Sequence, residues 1–247
     1  MPHPFLTARW SDIVLLTFEA PEDVIRRAIP PGVEPDRWNG RTHVSVVALR
    51  MLDIRVMGWR IPGFTSHPQV NFRTYVRLNG EPGVWFIRQL VPSRLIAAVG
   101  RLRYGEPFWP TPIRSRVVDR HGEVRAEYGV GPAALGWHVS VSGSRAALVP
   151  PPDSAEHHFI ERAFACRTRP DGNLGVYRVV HPAWAVRPIR TVDYRLDFGS
   201  LYGAEWEFLN RAQPADVVFA EGSEVAVYPP TDSTSTAEPP SSQAAPG

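Results

Sequence analysis

The sequence predicts a single β-dominated α+β domain. Three observations carry this expectation. Short stretches of period-two alternation recur along the chain, turn dipeptides such as Asn-Gly and Asp-Gly separate them, and only two or three short stretches have helical spacing. The 26 prolines and 19 glycines suit many turns between short strands. The 247 residues are long enough to bury a substantial core, and no composition shift marks a second domain.

Taken in order, residues 7–19 form the first strand region, with Ile13, Leu15 and Thr17 alternating with Val14, Leu16 and Phe18. Residues 21–29 form a helix. Pro21 suits its first turn, Glu22 and Asp23 its positive end, and Arg26 and Arg27 its negative end, before Pro30-Pro31-Gly32 stops it. A strand over residues 42–52 follows the Asn39-Gly40 turn. Residues 68–90 read as a hairpin around Asn79-Gly80 and Pro82-Gly83. In its first strand Val70, Phe72, Thr74, Val76 and Leu78 point one way, and Asn71, Arg73, Tyr75 and Arg77 the other. Its second strand opens with the apolar run Val84-Trp85-Phe86-Ile87, which suits burial on both faces.

Leu95, Ile96, Val99 and Leu102 share one stripe of a helix over residues 93–103. Residues 106–112 hold three prolines and are expected to be irregular. Strands follow at 113–118, 124–130 and 137–142. Asp153 and Glu156 are spaced as a capping box for a helix reaching residue 165. Further strands are expected at 174–180, 217–219 and 224–228, with 184–189 and 191–198 more weakly patterned and a short helix at 205–210. The domain thus spans residues 1–228. Residues 229–247, rich in Pro, Ser, Thr and Ala, contain no large apolar residue and are expected to be a disordered tail.

Composition excludes several function classes. A net charge of +2 is too small to argue for nucleic acid or an anionic membrane, and no apolar run is long enough for a membrane span. Cys166 stands alone, so no intrachain disulfide forms, and no leader pattern precedes residue 12. A soluble cytoplasmic protein is expected. All 27 basic residues are arginines; there is no lysine. A Schiff-base mechanism needs an amine that sheds its proton near neutral pH, which a guanidinium does not do. The histidines show no metal-ligand spacing, and no G-x-G-x-x-G, P-loop or G-x-S-x-G pattern occurs, so neither a metal nor a cofactor is expected.

The stretch VNFRTYVRLNGEPGVWF resembles the signature of the DUF2071 (YqjF-like) family. Trp10-Ser11-Asp12, the segment PEDVIRRAIPPGVEP with Asn39-Gly40-Arg41, and GNLGVYRVVHPAWAV are similar to other parts of the same family. The resemblance implies an acetoacetate decarboxylase-like fold: a single cone-shaped antiparallel β-barrel with an internal cavity. It implies little about activity, because most members have no assigned function. Acetoacetate decarboxylase itself uses a lysine that this chain lacks.

Inside such a barrel, Asn71, Arg73 and Tyr75 become a polar lining. Arg73 offers a fork to a carboxylate and could stabilise an enolate; Tyr75 could pass a proton. His181, beside Trp184, is a second acid-base candidate at the cavity mouth. Arg50, Asn71, Arg88 and Trp184 are candidate ligand-binding residues, and Arg73, Tyr75 and His181 candidate catalytic ones. The favoured reading is a small anionic organic molecule, such as a carboxylate, held in the barrel, with lyase or isomerase chemistry independent of a Schiff base. A non-catalytic binding protein and a closed, purely structural interior remain open alternatives, in which the same residues form a hydrogen-bond network that never meets a ligand.

Overall fold

A computed structural model describes residues 3–105, 107–168, 174–229 and 231–232. The chain is mostly β, in the order β1 (Leu6–Glu19), α1 (Glu22–Ala28), β2 (Glu34–Pro35), β3 (His43–Val56), β4 (His67–Leu78), β5 (Glu81–Val91), α2 (Arg94–Tyr104), β6 (Phe108–Pro110), β7 (Ile113–Arg120), β8 (Glu123–Val130), β9 (His138–Ser144), α3 (Ala155–Ile160), β10 (Phe164–Thr168), β11 (Leu174–Val180), β12 (Ile189–Arg195), α4 (Phe198–Tyr202), β13 (Asp216–Val227) and β14 (Thr231–Asp232). Short 3₁₀ segments lie at Ala133–Leu135 and Ala204–Arg211.

Two sheets result. In the larger, β4 pairs with β3, β3 with β1, β1 with β13, β13 with β11, β11 with β10 and β10 with β5. β5 then pairs back to β4, so these pairings form a circuit. The second sheet has four strands in the order β12-β9-β8-β7. The expectation of one all-antiparallel sheet needs correcting on both counts. The second sheet stands apart, and β10 and β6 both run parallel to β5. Gly83 makes the β5–β10 pairing possible, since a Cβ there would sit 2.4 Å from the Phe164 ring.

Other boundaries moved as well. The helix expected to reach residue 165 ends at Ile160, and Phe164, Ala165 and Cys166 are instead buried in β10. Burial of an apolar triplet against β5 outweighs local helix preference here. Residues 108–110 form a short edge strand despite their proline, which is tolerated at an edge. The two final strands are one strand, β13, running through Gly222. Residues 184–188 make only two isolated bridges, both at Val186, to Leu148 and Ala220, and α4 had no distinct signal. Of the expected tail, Thr231–Asp232 pairs with β11, while residues 230 and 233–247 lie outside the described residues.

The larger sheet buries both faces. On one, Val14, Leu16, Phe18, Val46, Phe72 and Val76 pack with Tyr128, Val139 and Val141 of the second sheet and with Phe198, Tyr202 and Trp206. On the other, Leu15, Val47, Leu49, Tyr75, Val84, Phe159, Trp184 and Val218 form a separate cluster. The alternation in β4 therefore sorts residues as its sequence predicts, with Asn71, Arg73 and Tyr75 all buried on the second face. That face carries the candidate site.

Candidate functional site

Bulges decide which residues line this face. In β1 the register with β3 shifts between Ser11 and Val14, and Asp12 sits at φ 54. A bulge inverts the parity of everything beyond it, so Ala8 and Trp10 share a face with Ile13 and Leu15. In β3 a second shift opposite Thr7 and Arg9, beside Asp53 at φ 50, puts Ile54 and Val56 on the face of Leu49 and Met51. In β5 the shift between Phe72 and Arg73 turns both Phe86 and Gln89 inward.

The inward side chains surround a cavity of about 390 Å³. Its walls are mostly apolar: Phe5, Leu6, Trp10, Leu49, Met51, Phe86 and Phe108 among others, with Leu95, Ile96 and Val99 of α2 to one side. One side is polar and is built from His67, Gln69, Asn71 and Gln89. Gln69 Nε2 donates to Asn71 Oδ1 at 2.7 Å and to Gln89 Oε1 at 2.9 Å. With both amide protons so used, the oxygen of Gln69 remains to accept from His67, with which it shares a hydrogen bond. Burial lowers the His67 pKa, against that hydrogen bond, so the ring is neutral near pH 7. Among the described residues, no side chain lining the cavity is an Asp, Glu, Lys or Arg.

Trp10, Met51 and His67 stand in one row across β1, β3 and β4. Trp10 Nε1 and His67 Nδ1, at the two ends of that row, are buried without a hydrogen-bond partner among the described residues. Such groups cost about 1–3 kcal/mol each.

Beyond Asn71, the same face of β4 holds a charged cluster. Arg73 donates to the Phe159 carbonyl at 2.9 Å, and Tyr75 shares hydrogen bonds through Ser45 with Thr17. Arg162 pairs with Asp36 at 2.5 Å, and its guanidinium lies 4.8 Å from the Tyr75 ring centre, with that of Arg73 at 5.6 Å. Burial opposes the Asp36 charge, yet hydrogen bonds and charge from Arg162 and Arg77 hold its carboxyl below the usual range. His158 is pushed down to about 4, by burial first and then by the Arg162 charge. Residues of α3 cover this end, with Phe159 5.1 Å from both the Tyr75 and His43 rings.

Of the residues singled out from sequence, Asn71 lines the cavity. Arg73 and Tyr75 come together in the charged cluster and do not line it. Arg50 binds Asp12 at the β1 bulge. Arg88 points to the other face, donating to the Leu201 carbonyl at 2.6 Å and lying over Trp109. Trp184 is buried, donates to Ser223 and packs 6.0 Å from Trp10. His181 stacks on Trp184 at 4.3 Å and stays outside the lining. His67, Gln69 and Gln89 escaped the sequence reading. Their signal was available: period-two extension back from Asn71 reaches Gln69 and His67, and Gln89 faces Asn71 across the hairpin. Among the described residues no three His, Cys, Asp or Glu side chains gather as a metal site.

Residues 7–224 match DUF2071, a family of uncharacterized conserved proteins. The chain belongs to this family. It is 26% identical over 107 residues to the uncharacterized protein YqjF of Bacillus subtilis, a match covering 43% of this chain and 44% of that protein. The fold is similar to that of the enduracididine biosynthesis enzyme MppR, solved with the condensation product of pyruvate and imidazole 4-carboxaldehyde. The TM-score there is 0.61 at 16% identity, over 95% of this chain and 92% of that one. Acetoacetate decarboxylase from Legionella pneumophila gives 0.58 at 13% identity, over 93% and 86% of the two chains. An acetoacetate decarboxylase-like enzyme from Sphingomonas wittichii RW1 gives 0.58 at 10%, over 92% and 93%. At these identities the likeness is one of fold. This DUF2071 chain has an acetoacetate decarboxylase-like fold, and among its described residues no helix is long and apolar enough to cross a membrane.

Proposed function

We propose that this DUF2071 chain binds a small, largely apolar and uncharged organic molecule inside its larger sheet, whose circuit of strands closes as a cone-like barrel around the cavity. One observation carries the reading: a cavity of about 390 Å³ has apolar walls, a polar side of amides and a neutral imidazole, and no charged lining residue among those described. That size and balance suit a small-molecule site. The ligand's polar end meets Gln69, Asn71, Gln89 and His67, and its apolar body meets Phe86, Leu49 and α2. An oxygen that both donates and accepts suits the row ending in the unpartnered Trp10 Nε1 and His67 Nδ1. An alcohol, an enol or an acid bound in its protonated form fits. This departs from a carboxylate gripped by a guanidinium, since Arg73 does not line the cavity and donates to the Phe159 carbonyl instead. Arg50, Trp184 and His181 act on the same site indirectly, by holding the bulge and the ring of Trp10.

A second reading adds chemistry. His67 is neutral and has one unpartnered nitrogen, so it suits a proton acceptor for a carbon next to a carbonyl. Lyase or isomerase chemistry of this kind needs no Schiff base, and pyruvate in the MppR structures is a carbonyl compound of this sort.

The test is a thermal-shift screen of alcohols, enols and short acids against wild type and Asn71→Leu. A ligand at about 100 times its dissociation constant adds about 2.7 kcal/mol, or about 5–10 °C for a chain of this size. The expected result is a shift that Asn71→Leu abolishes. Equal shifts in both proteins, or none across the panel, would overturn the binding reading. Turnover that His67→Phe removes while the ligand shift persists would establish the second.

A further inference from the structure

Large apolar side chains are exposed on two elements that contribute to the cavity lining. Leu102 is 85% exposed, Trp59 77%, Met57 69% and Leu95 57%. Leu95, Val99 and Leu102 form one stripe on α2, and Leu95 and Val99 also line the cavity. Between Val56 and Ile61, which line the cavity, Met57 at φ 51 and Gly58 at φ 81 make a tight turn closed by the Val56–Trp59 bridge. Both elements hold large apolar side chains in solvent, where they gain nothing from folding.

Charge says what covers them. Arg55, Arg60, Arg94 and Arg101 are exposed in the same segments. The only acid in the two segments is Asp53, which pairs with Arg60, and α2 has no acidic residue along its length. A second copy apposed by twofold symmetry would set these arginines against one another without a carboxylate to pair them. An apolar centre flanked by arginines instead has the make-up of a helix that lies in a lipid headgroup layer. The whole-chain charge of +2 conceals this, because Arg55, Arg94 and Arg101 lie in these segments without an acidic partner among the described residues.

We propose that this face docks on an anionic phospholipid surface, with α2 and the Met57–Trp59 turn entering the headgroup layer and the cavity mouth facing the bilayer.

The experiment is co-sedimentation with phosphatidylcholine vesicles, with and without phosphatidylglycerol, at low and high salt. Wild type should pellet with the anionic vesicles, less so with neutral ones or in high salt. Each arginine near such a surface contributes about fivefold in partitioning, so Arg55→Glu and Arg94→Glu should each lower binding at least that much. Trp59→Glu and Leu102→Glu alter exposed positions, should leave the circular dichroism unchanged, and should abolish binding. No binding to anionic vesicles at low salt would overturn the proposal, as would binding that survives both apolar variants. So would a wild-type dimer, seen by sedimentation equilibrium, that Leu102→Glu converts to monomer without any vesicle binding. The measurement uses no cavity ligand, so its outcome is separate from that of the binding function.

Discussion

Asp12 and Arg50 lock the β1 bulge. The Arg50 Nε donates to Asp12 Oδ2 at 3.0 Å across neighbouring strands, and the Asp12 carbonyl accepts from Tyr128 of the second sheet at 2.6 Å. The bulge is what turns Trp10 toward the cavity. Gly222 sits opposite at φ +80, where a Cβ would come within 2.0 Å of the Trp10 carbonyl oxygen. Arg50 thus acts on the site through the backbone of β1.

Asp12→Asn keeps a residue that tolerates positive φ and removes only the charge. The Arg50 side chain is 32% exposed, so water offsets part of the lost pair. The expected loss is about 1–2 kcal/mol, read as a lower urea midpoint with an unchanged slope.

Arg162→Met should cost more, because the Asp36 side chain is only 4% exposed and, among the described residues, keeps Arg77 as its one close arginine partner. Breaking a buried pair costs about 3–5 kcal/mol. Adding Asp36→Leu should recover part of that loss. A double-mutant cycle in urea measures the coupling; a fully additive result would show that the pair does not act as a unit.

Histidines that are buried or partly buried set a pH dependence. The His158 pKa falls from 6.5 to about 4 on folding. Between those values the unfolded chain binds a proton that the folded chain does not. Stability from this group is therefore full above pH 6.5 and lost as pH falls toward 4. His43 and His67 shift in the same direction, both chiefly by burial. Asp216 opposes them: burial and the Glu156 charge raise it from 3.8 to about 6, so its contribution is lost as pH rises through that window. Urea melts from pH 7 downward should show a net acid loss. His158→Gln should flatten it and Asp216→Asn should steepen it.

Cys166 should be inert in the folded protein. It is 1% exposed, and burial pushes its thiol up to about 12. A thiol reagent should label it only as fast as the chain opens, so the labelling rate should rise with urea. Rapid labelling in buffer alone would contradict this placement.

Much of the strand order was legible in sequence because its physical basis is local. The hairpin around Asn79-Gly80 follows from turn chemistry, and α1 from its charged ends and proline stops. The face carrying Asn71, Arg73 and Tyr75 followed from alternation within an unbulged stretch of β4. The cavity was less legible because alternation assumes a constant period. Asp12, Asp53 and the β5 bulge each invert it, so Trp10, Ile54 and Phe86 changed sides relative to a strict two-residue count. β10 was missed because its burial depends on Gly83, a distant residue that leaves room for Phe164.

By itself the sequence determined the β-dominated class, the family resemblance and the lack of any lysine for a Schiff base, since these depend on residue identity and short-range spacing. Only the tertiary structure decided what each polar group does. Arg73 and Tyr75 carry the residue types of an anion site, yet α3 arrives from about 85 positions away and covers them, with Phe159 accepting from Arg73. Gln69 and Gln89 look ordinary in sequence, and become the polar side of a cavity when β4 and β5 set them together. Long-range packing chooses which groups lose water and which stay beside open space, and that choice is not encoded in any single stretch.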